Sequence, residues 1–547
     1  MYFLLDKLGG TAYDISAMFV RVKKFSGKRT TRQYLQVVES FRKDGKMRQR
    51  VLCTLGRLER LQEGGLDALI EGLTKFSRKL AVIRASQDLL ADWSKEYGAV
   101  LVFRKLWEEL KMEQILKGHL SFHRYKSDIG EAIFVLVLNR ILEPYSKRRA
   151  ELWLEEVYEP RFSKLKLQHF YRCLDFLDEH KPEIEEELFG EVKDLFNLEL
   201  DVVFYDTTSV YFEGEGPEGL AQKGYSKDKR PDLNQILIGV LMTKEGIPIG
   251  CEVFPGNCYD GSTLKCALEV LSKRFHLKRV IFVGDRAMVS QENLSYLDDF
   301  GYEYILGVRM RQLKDVNKEA LSRAGRYHLV NKSLRVKEVK VGEVRYVLCF
   351  NPEEAKKDEE ERKAIVKNLE EKIQSGSLRK VLTKDAQRYL KLEGDRQDAS
   401  QKFSLNYQKI EKEARYDGKY VLRTNTELSA EEVALAYKNL WLVENTFRNI
   451  KDILKIRPIF LWTPARVRGH VFVCFLAFLL TVTLQKKLLQ VGTKESLWNI
   501  LRDVRKVKAV LLRVKNEPYL VRTELKGMAH LAFKAVGLSP PSRVKPL

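Results

Sequence analysis

The sequence predicts an α/β core with a mixed α+β insertion, preceded by a basic β-hairpin and a helical region. Three observations carry that reading. Residues 201–308 alternate short β-branched apolar runs with helical spacings. Residues 101–200 keep a helical apolar period throughout, as in EAIFVLVLNRILEP and HFYRCLDFLDEH. Arg21 to Arg60 holds thirteen Lys/Arg against three acids, arranged as strand, turn and strand. The chain has 547 residues, room for several domains at roughly 100–200 residues each. The divisions read from it are 1–100 (basic N-terminal), 101–200 (helical), 201–308 with 427–484 (core), 309–426 (insertion) and 485–547 (basic, helical).

Taken in order, YLQVVESFR and MRQRVLCTLG are strands, and Asp44-Gly45 between them is a hairpin signal. The basic side chains of this ribbon could track phosphates or simply face solvent. Asp175 to Glu191 is acidic, and either turns away from a polyanion or meets another basic part of the chain. DVVFYDTTSVYF, NQILIGVLMT, IPIGCEVF, RVIFVGDRAM and YEYILGVRM read as central strands. STLKCALEVLSKRF and SQENLSYLDDFG read as helices, the second capped by Ser290. In the insertion, LRVKEVKV and VRYVLCF are strand-like, and Pro352 to about Gln374 is helical. Ser429 and Glu432 form a capping box that opens a strong helix. Ala436, Leu440, Val443, Phe447, Ile450 and Leu454 give that helix one apolar stripe. From 445 onward twenty Lys/Arg face five acids, a second basic region.

Composition narrows the class. Hydrophobic residues at 44% supply a core, which excludes disorder as the general state. The formal charge of +21 points to a polyanionic partner, nucleic acid or an anionic membrane. The uncharged run Val471–Gln485 has fifteen residues, short of the ~18–20 that a spanning helix needs, and reads as a buried core helix. MYFLLDKLGG is too short in apolar residues for a signal peptide. Seven scattered cysteines without C-x-x-C exclude a disulfide framework or thiolate zinc site. A cytoplasmic, nucleoid-associated protein that binds nucleic acid is the surviving expectation, with no membrane role.

Three acids stand out by setting. Asp206 ends the apolar strand VVFYD and Asp285 ends VIFVGD, positions that face the crevice of an open α/β sheet. Glu444 lies beside the apolar stripe of the strong helix. A lone strand-end Asp is commonly a cap or turn residue. Three carboxylates with no His or Cys cluster suit a hard cation such as Mg²⁺, and two such ions serve phosphoryl transfer. Tyr437, Glu444 and Lys451 sit seven apart, close to one helix face, with Trp441 and Arg448 in the turns between.

These residues resemble the DDE transposases of bacterial insertion sequences that carry a Y-x2-R-x3-E-x6-K signature. Tyr437, Glu444 and Lys451 hold the signature offsets, and Leu440 stands at the arginine position. FYDTTSVYFEG, GYSKDKRPDLNQ, GDRAMVSQENL and RVRGHVFVCFLAFLL look like the family as well, Ala287 standing where glycine is more usual. The resemblance implies a ribonuclease-H-like catalytic core with an insertion, which the 158 residues between Asp285 and Glu444 accommodate. It implies Asp206, Asp285 and Glu444 as catalytic metal ligands for two Mg²⁺ ions, with Mn²⁺ as a substitute. Tyr437, Trp441, Arg448, Lys451 and Arg286 would contact DNA. Lys227, Lys229 and Arg230 either meet phosphates or belong to a charged turn opened by Gly224. The implied activity is cleavage at the terminal repeats and transfer of the 3′-OH into target DNA, by a homodimer holding two double-stranded ends in a synaptic complex. A nuclease without strand transfer and an inactive DNA-binding repressor are the competing readings.

Overall fold

The computed structural model describes residues 17–26, 31–43, 46–74, 76, 89–121, 128–196, 202–275, 281–375, 387–393, 402–514 and 516–547. The chain divides into two units. One comprises Met1–Trp93, Leu511–Leu520 and Val544–Leu547; the other comprises Ser94–Val510 and Val521–Arg543.

In the first unit, β1 (Ala17–Ser26), β2 (Thr31–Lys43) and β3 (Lys46–Arg57) form an antiparallel sheet in that order. Lys43 pairs with Lys46; the Asp44-Gly45 turn expected between these two strands lies outside the described residues. β4 (Leu89–Glu96) follows, the division falling within it after Trp93.

The second unit is built on a nine-stranded sheet. β5 (Val202–Tyr211), β6 (Gln235–Thr243), β7 (Pro248–Pro255), β8 (Ile281–Gly284) and β9 (Glu303–Gly307) lie in the order β7-β6-β5-β8-β9. β5, β6 and β7 run antiparallel; β8 and β9 continue parallel to β5. That layout is consistent with a ribonuclease-H-like core. The near-continuous burial of these strands explains their uninterrupted apolar runs.

The insertion does not stand apart from this sheet. Its strands β10 (His328–Asn331), β11 (Leu334–Val341) and β12 (Val344–Phe350) extend it, while β13 (Leu390–Glu393) and β14 (Lys402–Leu405) pair separately. The join is β15 (Lys419–Thr424), whose Leu422 pairs with Gly307 of β9. β15 thereby covers the β9 edge, which would otherwise leave backbone groups open. The helix Pro352–Gln374 forms where the spacing places it.

Helices cover the sheet. Pro464–Gln490 is long and apolar enough to cross a membrane, yet almost all of its apolar window is buried inside the protein. It packs on Ile129–Leu142 and Leu167–Glu179. A Cβ at Gly469 would collide with the Leu174 carbonyl, so this close helix approach requires glycine. The acidic stretch meets basic residues of the chain: Asp175 pairs with Arg466 and Asp178 with Arg468. Glu185, buried, pairs with Lys181 and Arg274 and accepts the Cys251 N–H.

Three expectations are corrected. The strong helix is not continuous: it runs Ala430–Lys438, turns at Asn439–Leu440, resumes as Trp441–Arg448 and ends in a wider turn, Asn449–Ile453. Its stripe residues Leu440, Val443, Phe447, Ile450 and Leu454 are nevertheless buried. Asp206 does not end its strand, because TTSVY continues the antiparallel pairing with β6. The C-terminal region is not all helical. Helices Leu497–Val504 and Ala529–Ala535 alternate with β16 (Lys508–Val514), β17 (Glu517–Arg522) and β18 (Val544–Pro546), in line with the β-branched content of KAVLLRV.

Candidate active site

The parallel pairing of β5 with β8 ends at Tyr205 and Gly284. The next residue on each chain segment is an aspartate, Asp206 and Asp285. Adjacent strands therefore deliver two carboxylates side by side. Both open on a cavity of about 840 Å³ that Glu444 also lines, from the Trp441–Arg448 helix. The three acids singled out in the sequence share one site.

Each is held differently. Asp206 Oδ1 accepts the Thr207 N–H at 2.7 Å, and Asp285 Oδ1 accepts the Arg286 N–H at 2.6 Å, capping a short turn. Glu444 is exposed on its helix. Burial pushes the Asp206 carboxyl up to about 6; Lys227 and the Thr207 N–H oppose the rise, and Asp285 and Asp260 add to it. Tyr437 lines the cavity, and its phenol is raised well above its ordinary value, mainly by burial and then by Asp285. It stacks on Tyr420 with centroids 5.9 Å apart. A Cβ on Gly307 would strike the Tyr437 hydroxyl, so the bare backbone of β9 makes room for it.

The other sequence-selected residues divide. Trp441, 53% exposed, and Arg286 also line the cavity. Arg448 is exposed on the same helix but is not part of the lining. Lys451, expected to contact DNA, is instead turned into the protein. Its ammonium is buried against Asp228 at 2.8 Å, and Arg457 meets the same carboxylate. The three cations of GYSKDKRPDLNQ do not form one outward patch. Lys227 turns inward to Asp206 and Asp260, Arg230 pairs with Asp232 at 2.8 Å, and Lys229 is exposed at a left-handed φ of 58°.

Sequence reasoning missed Asp260. It follows β7 in GNCYDGST and sits near enough to Asp206 to raise its carboxyl. Its setting, after an antiparallel strand and at the start of a short helical turn, carries no local mark of a crevice-facing acid. Four cations of the cavity wall, Arg309, Arg311, Lys419 and Lys438, were missed as well. They come from segments that looked like a separate insertion or a helix edge.

Carboxylate oxygens are hard donors that fit Mg²⁺ or Mn²⁺, and the mutual repulsion of Asp206, Asp285 and Asp260 is what a divalent cation offsets. Among the described residues no three such side chains stand close enough to hold an ion without moving. The donor chemistry of the three acids fits such an ion.

A transposase DDE-domain family model matches residues 197–480, and an IS1634-family transposase N-terminal domain model matches residues 20–87. The chain is a DDE transposase. As a member of that family it is an enzyme acting on DNA, of a class that uses divalent metal ions. No curated protein matches this transposase. Among solved structures, it resembles the piggyBac transposase synaptic complex with hairpin DNA at 10% identity, covering 74% of this chain and 79% of that one, with a TM-score of 0.38. It resembles the Mos1 transposase paired-end complex at 14% identity, covering 33% of this chain and 60% of that one, with a TM-score of 0.14.

The raised Asp206 carboxyl makes a stability prediction for the metal-free transposase. Below its ordinary value of 3.8 the group is protonated both folded and unfolded, and its contribution is fully present. As pH rises through about 6 the folded protein must ionise it at a cost, so that contribution is lost. Asp206→Asn should therefore stabilise the metal-free protein at pH 8 by about 1–3 kcal/mol, with the gain vanishing below about pH 4. Denaturant titrations at both pH values check this; an Asn variant less stable at pH 8 would contradict it.

Proposed function

We propose that Asp206, Asp285 and Glu444 hold two Mg²⁺ ions, and that this transposase cleaves DNA at the ends of an insertion sequence and joins the freed 3′-OH to target DNA. The supporting observation is the convergence of the three acids on one cavity, two of them from the adjacent parallel strands β5 and β8. When bound, the ions stabilise the attacking and leaving oxygens of the phosphoryl group. The chain's own residues do the rest. Backbone N–H groups of Thr207 and Arg286 fix the two aspartates. The Tyr437 phenol stays protonated, and donates a hydrogen bond to a phosphate or leaving oxygen. Trp441 offers a stacking face beside Glu444. Arg286, Arg448, Lys229 and Arg230 supply phosphate contacts, and two copies of the chain hold two ends.

The chain belongs, in this reading, to the group with the Y-x2-R-x3-E-x6-K signature, with two residues reassigned. Lys451 anchors Asp228 rather than a phosphate. Leu440 is only 8% exposed, packs in the main core and also lines the cavity, so an arginine there would displace packed apolar contacts. Leu440→Arg should destabilise the protein by about 1–3 kcal/mol and bring no gain in end binding. Tighter binding at unchanged thermal stability would show that the position accepts arginine.

The exposed β3 cations Lys46 and Arg48 are proposed to bind phosphates of the end DNA. Neutralising both should reduce the log–log salt slope of DNA binding by about two, roughly one for each phosphate that is no longer neutralised. An unchanged slope would place this strand in solvent. The proposed activity is tested with purified protein, DNA carrying the element's two ends, and a target plasmid. Mg²⁺ or Mn²⁺ should yield cut ends and joined product, and chelation should abolish both. Cutting without any joined product would favour a plain nuclease.

A further inference from the structure

The motif GYSKDKRPDLNQ sends one cation into the site. The Lys227 backbone N–H donates to Ser209 Oγ at 2.7 Å, which fixes the loop beside β5. The Lys227 ammonium donates to the Thr207 carbonyl at 2.6 Å and to Thr207 Oγ1 at 3.2 Å. It stands 3.1 Å from Asp260 Oδ2 and 3.8 Å from Asp206 Oδ1. Asp260 is not a loose surface acid. Its turn, Asp260–Thr263, is tied to the turn after Asp285 by Asn293, whose amide donates to the carbonyls of Gly261 and Met288, both at 2.8 Å. The side chains of Asp206 and Asp260 are 17% and 20% exposed, so the charges interact with limited solvent screening.

We propose that Lys227 is a resident cation of the carboxylate site and that Asp260 holds it back from Asp206, so that the pair sets how tightly the site takes a divalent ion. The inference rests on the reading of Asp206, Asp285 and Glu444 as metal ligands. An ammonium beside Asp206 competes with a divalent cation for the same carboxylate. Asp260 draws it toward the second turn and leaves one face of Asp206 open. Asp260 is on this account a positioning residue that acts through Lys227.

The test is Mn²⁺ binding to the metal-free, full-length protein without DNA, followed by calorimetry and by electron paramagnetic resonance. Lys227→Gln should tighten binding about tenfold, because a competing charge at 3.8 Å is removed. Asp260→Asn should weaken it about tenfold, and that loss should shrink at least threefold in the Lys227→Gln background. Lys227→Arg keeps the charge and should stay near wild type, which a role in packing alone would not produce. Lys227→Met serves if the Gln variant fails to fold. Equal cost of Asp260→Asn in both backgrounds would overturn the proposal, making Asp260 an independent ligand or remote charge. No tightening in the neutral Lys227 variants would overturn it too. Asp206→Asn is the separating control. If it leaves Mn²⁺ binding unchanged, the metal-site reading itself fails; if it abolishes binding while the cycle is additive, only the role of the pair fails.

Discussion

Asp206→Asn, Asp285→Asn and Glu444→Gln should each lower the rate of end cutting by about a thousandfold or more. Each change keeps the side chain's shape but removes an anionic oxygen donor. Charge stabilisation by a bound divalent ion is worth several kcal/mol at the transition state, and ~4 kcal/mol corresponds to roughly a thousandfold in rate. The fold should survive all three. Asp206→Asn even relieves a buried charge, whereas Glu444 is exposed and supports no packing. Single-turnover cutting of end DNA, with circular dichroism on each variant, is the measurement. A folded variant with wild-type cutting would remove that residue from the catalytic set.

The largest effect on stability is expected at a residue with no part in the chemistry. Asp228 lies in the inward-turned loop, and its side chain is only 7% exposed. It receives both Lys451 and Arg457, while its Oδ2 has no hydrogen-bond partner among the described residues. Asp228→Ala leaves the buried Lys451 ammonium facing Arg457, which retains Asp452 at 3.1 Å, and should cost about 3–5 kcal/mol. Lys451→Ala should cost less, about 1–3 kcal/mol, because Arg457 still neutralises the aspartate. The order matters as much as the size. Equilibrium denaturation in urea reads both, and an Asp228→Ala protein as stable as wild type would mean that the cluster contributes nothing.

What the sequence reveals and what it hides divide along physical lines. The five core strands were legible because burial on both faces leaves uninterrupted β-branched runs. The caps at Ser290 and Ser429 were legible because a side-chain oxygen three residues before an open N–H is a local arrangement, and both bonds form. Asp206 and Asp285 were recognisable from their strands, although only the pairing of Tyr205 with Gly284 reveals that they are neighbours. What escaped was non-local. The break at Asn439–Leu440 leaves the apolar period intact, so the stripe reads as one helix. Lys451 looks like an exposed helix residue until the loop carrying Asp228 folds over it. The pairing of β15 with β9 joins segments more than a hundred residues apart, and no local pattern marks it. Asp260 was hidden for the same reason: its relation to Asp206 passes through Lys227, which sits in a third segment.

Asp206, Asp285 and Glu444 are proposed to form one divalent-metal site. Fe²⁺ bound in place of Mg²⁺, with ascorbate and peroxide, generates hydroxyl radicals that cut the polypeptide close to the ion. Cuts should cluster near residues 206, 285 and 444, be suppressed by excess Mg²⁺ and be lost in Asp206→Asn. Cuts that fall elsewhere, or that persist unchanged in the variant, would contradict the claim.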